Sequence, residues 1–163
     1  MKILITGGKS ATALKVRRAF ENEQVILADY GDVPSFSSST YQLISLGEKN
    51  EETIAHNLLN HCLDDAIDII IPLNRFEIEP LAKAKILFDE FNVNVLLPDA
   101  SKLTGYLNSG LAQKDWLVCN AGVLIYSTIQ HELIDSNISD ERLSGAFYVE
   151  VSFDQPLLKL VTI

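Results

Sequence analysis

The feature that most constrains the fold is the N-terminal segment, in which a short apolar run ends at two glycines. Residues 3–5 are consecutive aliphatic residues, as in a central parallel strand that is covered on both faces. Gly7 and Gly8 end the run, and Ser10 is a suitable N-cap for the helix that follows. A strand, a glycine turn and a helix in this order predict the first unit of a parallel α/β sheet.

The same alternation of strands and helices continues along the next ninety or so residues. Apolar runs predict further strands at 24–28, 41–46, 66–72 and 94–97, and amphipathic segments predict helices at 50–62 and 77–91. The Gly, Pro and Ser residues of 30–40 predict a loop. Because helix-sized connections separate apolar strands, residues 1–107 are predicted to form a Rossmann-like parallel sheet flanked by helices, an α/β fold.

The pattern changes after Pro98. The sequence predicts short helices at 102–107 and 113–121, separated by Asn108, Ser109 and Gly110, then a strand at 123–129 and a loop or helical turn at 135–142. Residues 146–153 and 157–163 are strand-like and flank a turn at 154–156, which predicts a hairpin. Residues 108–163 are therefore expected to form a linker helix and a small C-terminal β-rich appendage.

The charge balance narrows the classes of partner. The chain has 22 acidic and 13 basic residues, a net charge of -9, and a sequence pI near 4.7. Such a chain is repelled by nucleic acid and by anionic membranes, so neither is an expected partner. The apolar run of MKILITGG is too short for a signal peptide, and the sequence has no stretch of about 20 apolar residues that would span a bilayer. We therefore expect a cytoplasmic protein.

The residues that bind metals or act as nucleophiles are few. Cys62 and Cys119 are distant in sequence and the three histidines are not clustered, so no metal site is expected. No Ser or Cys stands in a recognised spacing with a His, so the sequence identifies no catalytic residue. Whether the chain is an enzyme stays open.

The glycine turn is the first candidate binding site. Gly7, Gly8 and Lys9 precede a helix, whose N-terminal amides and partial positive charge favour an anion. The turn completes neither the dinucleotide pattern G-x-G-x-x-G nor the phosphate-binding pattern G-x-x-x-x-G-K-[ST]. A tight turn without a ligand is the competing interpretation.

Polar residues at two other predicted strand ends complete the candidate site. Asp29 follows the second strand, where an acid can accept hydrogen bonds from ribose hydroxyls, or can simply cap the strand. Asn74, Arg75 and Glu77 follow Pro72 and suit an anionic or amine ligand. Helix capping by Asn74 and a favourable helix-dipole interaction of Glu77 explain the same residues without a ligand.

Three stretches carry a family resemblance: MKILITGGKSATAL, VILADYGDVP and IDIIIPLNRFEIEPLAKAKILFDEFNVNVLLPDASKL. They resemble the preATP-grasp domain, the N-terminal Rossmann-like domain of ATP-grasp ligases such as biotin carboxylases and carbamoyl-phosphate synthase large chains. The positions that match the strand ends and turns of that family are Gly7, Gly8, Asp29, Pro72, Glu77 and Pro98. The segment SGLAQKDWLVCNAGVLIYSTI is similar to the family's helical linker, with Gly122 matching its glycine.

The resemblance implies a non-catalytic or partner-dependent domain that binds a small acidic molecule or a nucleotide, or that helps to form an oligomer. Two departures are visible: the family's Asp-Lys pair is here Ser109-Gly110, and its acid after "IP" is Arg75. In the family, two further subdomains hold ATP and magnesium, and residues 130–163 are too few to form them. We therefore expect a binding domain rather than a complete ligase, with ATP and Mg²⁺ engaged only through additional subdomains or a partner.

Two other functions remain open. The sequence ITGG and Asp29 suggest an NAD(P)-binding oxidoreductase or epimerase, although the third glycine and a Tyr-x-x-x-Lys pair are missing. The second alternative is a non-catalytic interaction module that forms homo-oligomers by pairing of the C-terminal hairpin, residues 146–163, with another copy.

Overall fold

A computed structural model describes residues 1–107 and 110–163 of the chain. The described residues form two compact units, which are treated separately below. Unit 1 comprises Met1–Val95 and Thr162–Ile163, and unit 2 comprises Leu96–Val161. The break predicted between the helices at 102–107 and 113–121 includes Asn108 and Ser109, which lie outside the described residues.

Unit 1 is a six-stranded, mostly parallel sheet flanked by helices, as the sequence predicts. Its strands are β1 (Lys2–Thr6), β2 (Gln24–Asp29), β3 (Phe36–Ser37), β4 (Gln42–Ser45), β5 (Ile69–Ile71) and β6 (Asn94–Val95). Its helices are α1 (Ala11–Val16), which continues into a 3₁₀ turn (Arg17–Phe20), α2 (Ile54–Asp64), α3 (Arg75–Lys83) and α4 (Lys85–Glu90).

The strand order β3-β4-β2-β1-β5-β6 places the first strand in the centre of the sheet. Strand β1 pairs in parallel with β2 on one side and with β5 on the other, and only β3 runs antiparallel to its neighbour. After β1, the chain adds β2, β3 and β4 on one side of this strand and then crosses over to add β5 and β6 on the other side. This change of direction creates a topological switch point between β1 and β5. In open α/β sheets, ligands bind at the carboxyl ends of the strands at this point.

The core explains why these segments become strands. Residues 3–5 of β1 and residues 69–71 of β5 are almost completely inaccessible to solvent, because helices cover both faces of the sheet. Ser10 begins α1 by accepting a hydrogen bond from the backbone N–H of Ala13 at 3.1 Å. The expected single helix over 77–91 is instead two helices. Pro80 contributes no amide N–H to α3, and Ala84, at φ -94° and ψ 3°, separates α3 from α4.

Unit 2 is an antiparallel sheet in the order β10-β9-β7-β8 with two helices. Its elements are a 3₁₀ turn (Ala100–Lys102), α5 (Leu103–Leu107), β7 (Asp115–Asn120), β8 (Val123–Ser127), α6 (Glu132–Asp140), β9 (Gly145–Ser152) and β10 (Gln155–Leu160). Helix α6 packs on β8 and β10, and α5 packs on β10. The expected β-rich C-terminal appendage is thereby confirmed.

The helix expected over 113–121 is wrong, because this segment forms strand β7. Its four central residues are buried between β8 and β9, and such a short apolar run does not distinguish a buried strand from a buried helix. Ala121 and Gly122, both at positive φ, make the tight turn into β8. The expected loop or turn at 135–142 is mostly helix α6.

The predicted C-terminal hairpin is present, with its turn one position earlier than expected. Phe153 and Asp154, at φ 48° and 60°, form the turn, whereas Gln155 and Pro156 belong to β10. Positive φ at both turn residues matches the twist of the two strands. Pro156 is accommodated because β10 lies at the edge of the sheet.

Candidate functional site

The glycine turn after β1 requires both of its glycines. Gly7 adopts φ +66°, a conformation that side chains disfavour. A Cβ atom on Gly8 would lie 2.8 Å from the backbone nitrogen of Ala28 and 2.9 Å from the carbonyl carbon of Leu27. Gly8 therefore lets the turn pack directly on the backbone of β2, and its N–H donates to the Ala28 carbonyl at 2.9 Å.

The other amides of the turn are also used within the chain. The N–H of Lys9 donates to Oδ2 of Asp29 at 3.0 Å, and the N–H of Ser10 donates to the Gly7 carbonyl at 2.9 Å. Asp29 accepts a second hydrogen bond, from the N–H of Tyr30 at 2.9 Å. The amides of Gly8, Lys9 and Ser10 therefore all donate to acceptors within the chain, and the Asp29 side chain links the turn to the end of β2.

Glu77 occupies the centre of the site and is completely buried. Its carboxylate accepts hydrogen bonds from the hydroxyls of Thr6 and Tyr30, the latter at 2.7 Å. It also accepts from the backbone N–H of Asn74 at 3.3 Å and from the side-chain amide of Asn74 at 3.1 Å. One side chain of α3 therefore joins the ends of β1 and β2 to the start of its own helix.

The ionisation of this cluster is shifted by its burial. Burial raises the pKa of Glu77 above its ordinary value, while the hydrogen bonds from Thr6, Tyr30 and Asn74 partly oppose the rise by stabilising the carboxylate. Burial also raises the pKa of Tyr30, and the neighbouring Glu77 charge adds to that increase. Tyr30 therefore remains a hydroxyl donor to Glu77 across the ordinary pH range.

Tyr30 and Phe76 form an aromatic pair, and two lysines lie beside it. The rings of Tyr30 and Phe76 are 5.4 Å apart between centroids, and Nζ of Lys49 lies 3.9 Å from the centroid of Phe76. Nζ of Lys9 donates to the carbonyl of Tyr30 at 3.1 Å. Lysines from two different loops are thus held at the edge of the sheet.

Arg75 is the first residue of α3 and is exposed at the rim of a groove. The groove has a volume of about 540 Å³ and is lined by Arg75, Glu51, Ile54, Phe76, Glu79, Pro80 and Lys83. Each acid of the lining has a lysine partner: Glu79 pairs with Lys83 at 2.6 Å, and Glu51 pairs with Lys49 at 3.0 Å. Among the described residues, no acidic group forms an ion pair with Arg75.

The structure brings the sequence candidates together at one edge of unit 1. Gly7, Gly8 and Lys9 follow β1, Asp29 ends β2, and residues 74–77 follow β5. Their roles differ. The carboxylates of Asp29 and Glu77 accept hydrogen bonds from other groups of unit 1, whereas Arg75 lies at the rim of a groove.

Three further residues of the edge were not identified from the sequence. Thr6 and Tyr30 donate to Glu77, and Ile163 lies against Gly7 and beside Leu73. Thr6 ends the first predicted strand and Tyr30 begins the loop predicted after the second strand, and these positions were the available signal. Nothing in the local sequence of Ile163 indicates its position.

Fold and site together describe a parallel α/β domain with a polar cluster at the switch point of its sheet. No protein-family model matches the sequence, and no curated protein matches it. In the described ranges, 1–107 and 110–163, no group of three or more His, Cys, Asp or Glu residues is placed to hold a metal ion. The same ranges contain no helix with the length and apolar character needed to cross a membrane.

Proposed function

We propose that unit 1 binds a small organic anion at the carboxyl edge of its sheet, in the groove beside Arg75. The observation that carries this proposal is the unbalanced charge of Arg75. Lysines compensate the two acids of the groove, which leaves the guanidinium as its uncompensated charge. An anionic group on a ligand supplies the missing partner.

The groove also favours a class of ligand. The planar guanidinium of Arg75 matches a carboxylate or phosphate through paired hydrogen bonds. Ile54, Phe76 and Pro80 provide an apolar wall for the remainder of the molecule. A compact carboxylic acid or phosphate ester, with an apolar part, suits both features.

This proposal agrees with the resemblance to preATP-grasp domains, which implies a domain that binds a small acidic molecule or a nucleotide. The groove includes the start of α3, the helix that follows β5, and ligands of open α/β sheets bind near the carboxyl ends of the strands. The proposal concerns binding alone. Bond formation with ATP and Mg²⁺ would depend on additional subdomains or a partner.

The NAD(P) alternative has less support. A dinucleotide needs free amides at the glycine turn, and the amides of Gly8, Lys9 and Ser10 donate to acceptors within unit 1. The Asp29 carboxylate, expected on a ribose, accepts two backbone hydrogen bonds. Homo-oligomer formation through β10 is also less favoured, since Pro156 lacks an N–H and Lys159 places a charge on this edge.

Isothermal titration calorimetry of the full chain with citrate, inorganic phosphate and ATP tests the proposal. We expect at least one probe to bind, and Arg75→Ala to weaken it by about tenfold or more, which is the effect of losing a charged hydrogen-bond partner. Arg18→Ala is the matched control, because Arg18 is an exposed arginine outside the groove lining. Failure of all three probes to bind at millimolar concentration, or equal losses in both variants, would overturn the proposal.

A further inference from the structure

Strand β8, Val123–Ser127, lies at one edge of the four-stranded sheet of unit 2. It pairs with β7 on one side, and no other strand of the described residues pairs with its outer side. Alternate N–H and C=O groups of an edge strand point away from the sheet. Strand β8 therefore presents a row of hydrogen-bonding groups to an extended chain that lies beside it.

The other sheet edges of the described residues are short or protected, and β8 is neither. The outermost strands of unit 1, β3 and β6, have two residues each. Strand β10, at the opposite edge of the unit 2 sheet, carries Pro156 and Lys159, which hinder pairing with a further strand. The sequence of β8, VLIYS, contains no charged residue and no proline. An edge strand of this kind can accept an added strand.

The side chains of β8 are exposed at its start and packed near its end. Val123 is 66% exposed, and Leu124 and Ile125 are 37% and 38% exposed. Tyr126 packs its ring on that of Trp116 in β7, with 4.6 Å between the ring centroids. Strand β8 is thus held against β7 while three successive aliphatic side chains remain accessible. Such side chains contact those of a neighbouring strand when the sheet is extended.

The charges beside β8 select the kind of chain that docks there. Helix α6 packs on β8 and carries three exposed acids, Glu132, Asp135 and Asp140, and no basic residue. A second copy of the chain would bring the same acids and the same net charge of -9 to the contact, so repulsion opposes pairing of β8 with itself. A segment that carries Lys or Arg is attracted instead.

We propose that the outer edge of β8 docks an extended segment of a partner protein in which apolar residues alternate with Lys or Arg. The backbone of this segment bonds to the outward N–H and C=O groups of β8 and adds a strand to the sheet of unit 2. Its apolar side chains contact the aliphatic side chains of β8, and its basic side chains are attracted by the acids of α6. The site shares no residue with the groove of unit 1, so it is independent of the anion-binding proposal.

Fluorescence polarisation of the full chain with a labelled peptide of alternating lysine and valine, about six to eight residues long, tests the proposal. Saturable binding is expected. Val123→Lys should weaken it about three- to tenfold, because the new side chain places a like charge beside the peptide. Ile86→Lys is the matched control, since Ile86 is a 76% exposed residue of α4, and it should leave the affinity unchanged.

Two control peptides separate strand addition from attraction by net charge. Glutamate in place of lysine reverses the charge, and proline in place of valine keeps the charge but removes N–H donors. Each should bind about tenfold more weakly or worse. In hydrogen exchange followed by NMR, the lysine–valine peptide should slow the exchange of amides within Val123–Ser127, because new hydrogen bonds protect them.

Four results would overturn the proposal. The first is the absence of saturable binding by the lysine–valine peptide. The second is equal affinity for the valine and proline peptides, and the third is an equal effect of Val123→Lys and Ile86→Lys, since net charge alone would then explain binding. The fourth is a dimer in analytical ultracentrifugation that Val123→Lys dissociates, without peptide binding, which would assign the edge of β8 to a second copy.

Discussion

The hydroxyl of Tyr30 donates a hydrogen bond of 2.7 Å to the buried carboxylate of Glu77. This contact joins the residue that follows β2 to the first turn of α3, across 47 positions of sequence. It supports the start of α3, from which Arg75 and Phe76 reach the groove.

Tyr30→Phe should destabilise unit 1 by about 1.5–3 kcal/mol, since it removes a hydrogen bond to a buried charged group. Chemical denaturation followed by circular dichroism measures the loss. Tyr41→Phe is the matched control, because Tyr41 contacts Phe36 and Arg17 through its ring. A loss no larger than in this control would contradict the role given to the Tyr30 hydroxyl.

The pH dependence of stability should carry the signature of Glu77. Burial raises the pKa of Glu77 above its ordinary value of 4.5, so the folded state binds more protons than the unfolded state in that range. The contribution of Glu77 to stability is complete below pH 4.5 and is lost as the pH rises through the pKa of the folded state.

Glu77→Gln removes this titration. The free energy of unfolding of the unaltered chain minus that of the variant should therefore decrease as the pH rises from 4.5. Glu52→Gln, the same exchange at an exposed position, is the control for the substitution itself. A difference that increases with pH would show that the hydrogen bonds, rather than burial, dominate the pKa.

Gly8→Ala should cost about 1–3 kcal/mol or more, because the new Cβ would meet the backbone of β2 at 2.8 Å. Gly105→Ala is the control within a helix, since a Cβ at Gly105 meets no atom within 4 Å. That change should be neutral or stabilise by up to about 1 kcal/mol. Thermal denaturation of the two variants would contradict the account if Gly8→Ala were the better tolerated.

The two thiols should be unreactive in the folded chain. Burial raises the pKa of Cys62 and that of Cys119 to about 12, and the thiolate is the reactive form. Labelling with a chromogenic disulfide reagent at pH 8 should proceed slowly in buffer and rapidly in denaturant. Fast labelling of either thiol under native conditions would contradict the packing around it.

Much of unit 1 could be predicted from the sequence because each strand is indicated by its own residues and by the residue that ends it. Short aliphatic runs that end in Gly7, Asp29 or Pro72 indicate buried parallel strands whatever the rest of the chain does. The β7 segment was different. Its buried run of four residues fits a helix as well as a strand, and pairing with β8 and β9 decides between them.

The residues of the site were largely identified, but their roles depended on distant partners. Glu77 was a candidate ligand-binding acid, and its buried carboxylate accepts a hydrogen bond from Thr6, which is 71 positions away. The place of Ile163 over Gly7 depends on how the chain returns to β5, which no sequence pattern encodes. Arg75 is proposed to bind an anion because the acids that line its groove pair with lysines, and these ion pairs are visible only in the structure.

The most direct test of the central claim is the location of binding. Two-dimensional ¹H–¹⁵N NMR of the full chain, titrated with citrate, inorganic phosphate and ATP, reports which amides and which arginine side chain respond. The account predicts the largest saturable shifts at Arg75, Phe76 and the first turn of α3, including Nε of Arg75. Saturable shifts confined to other surfaces, with the Arg75 signals unmoved, would contradict it.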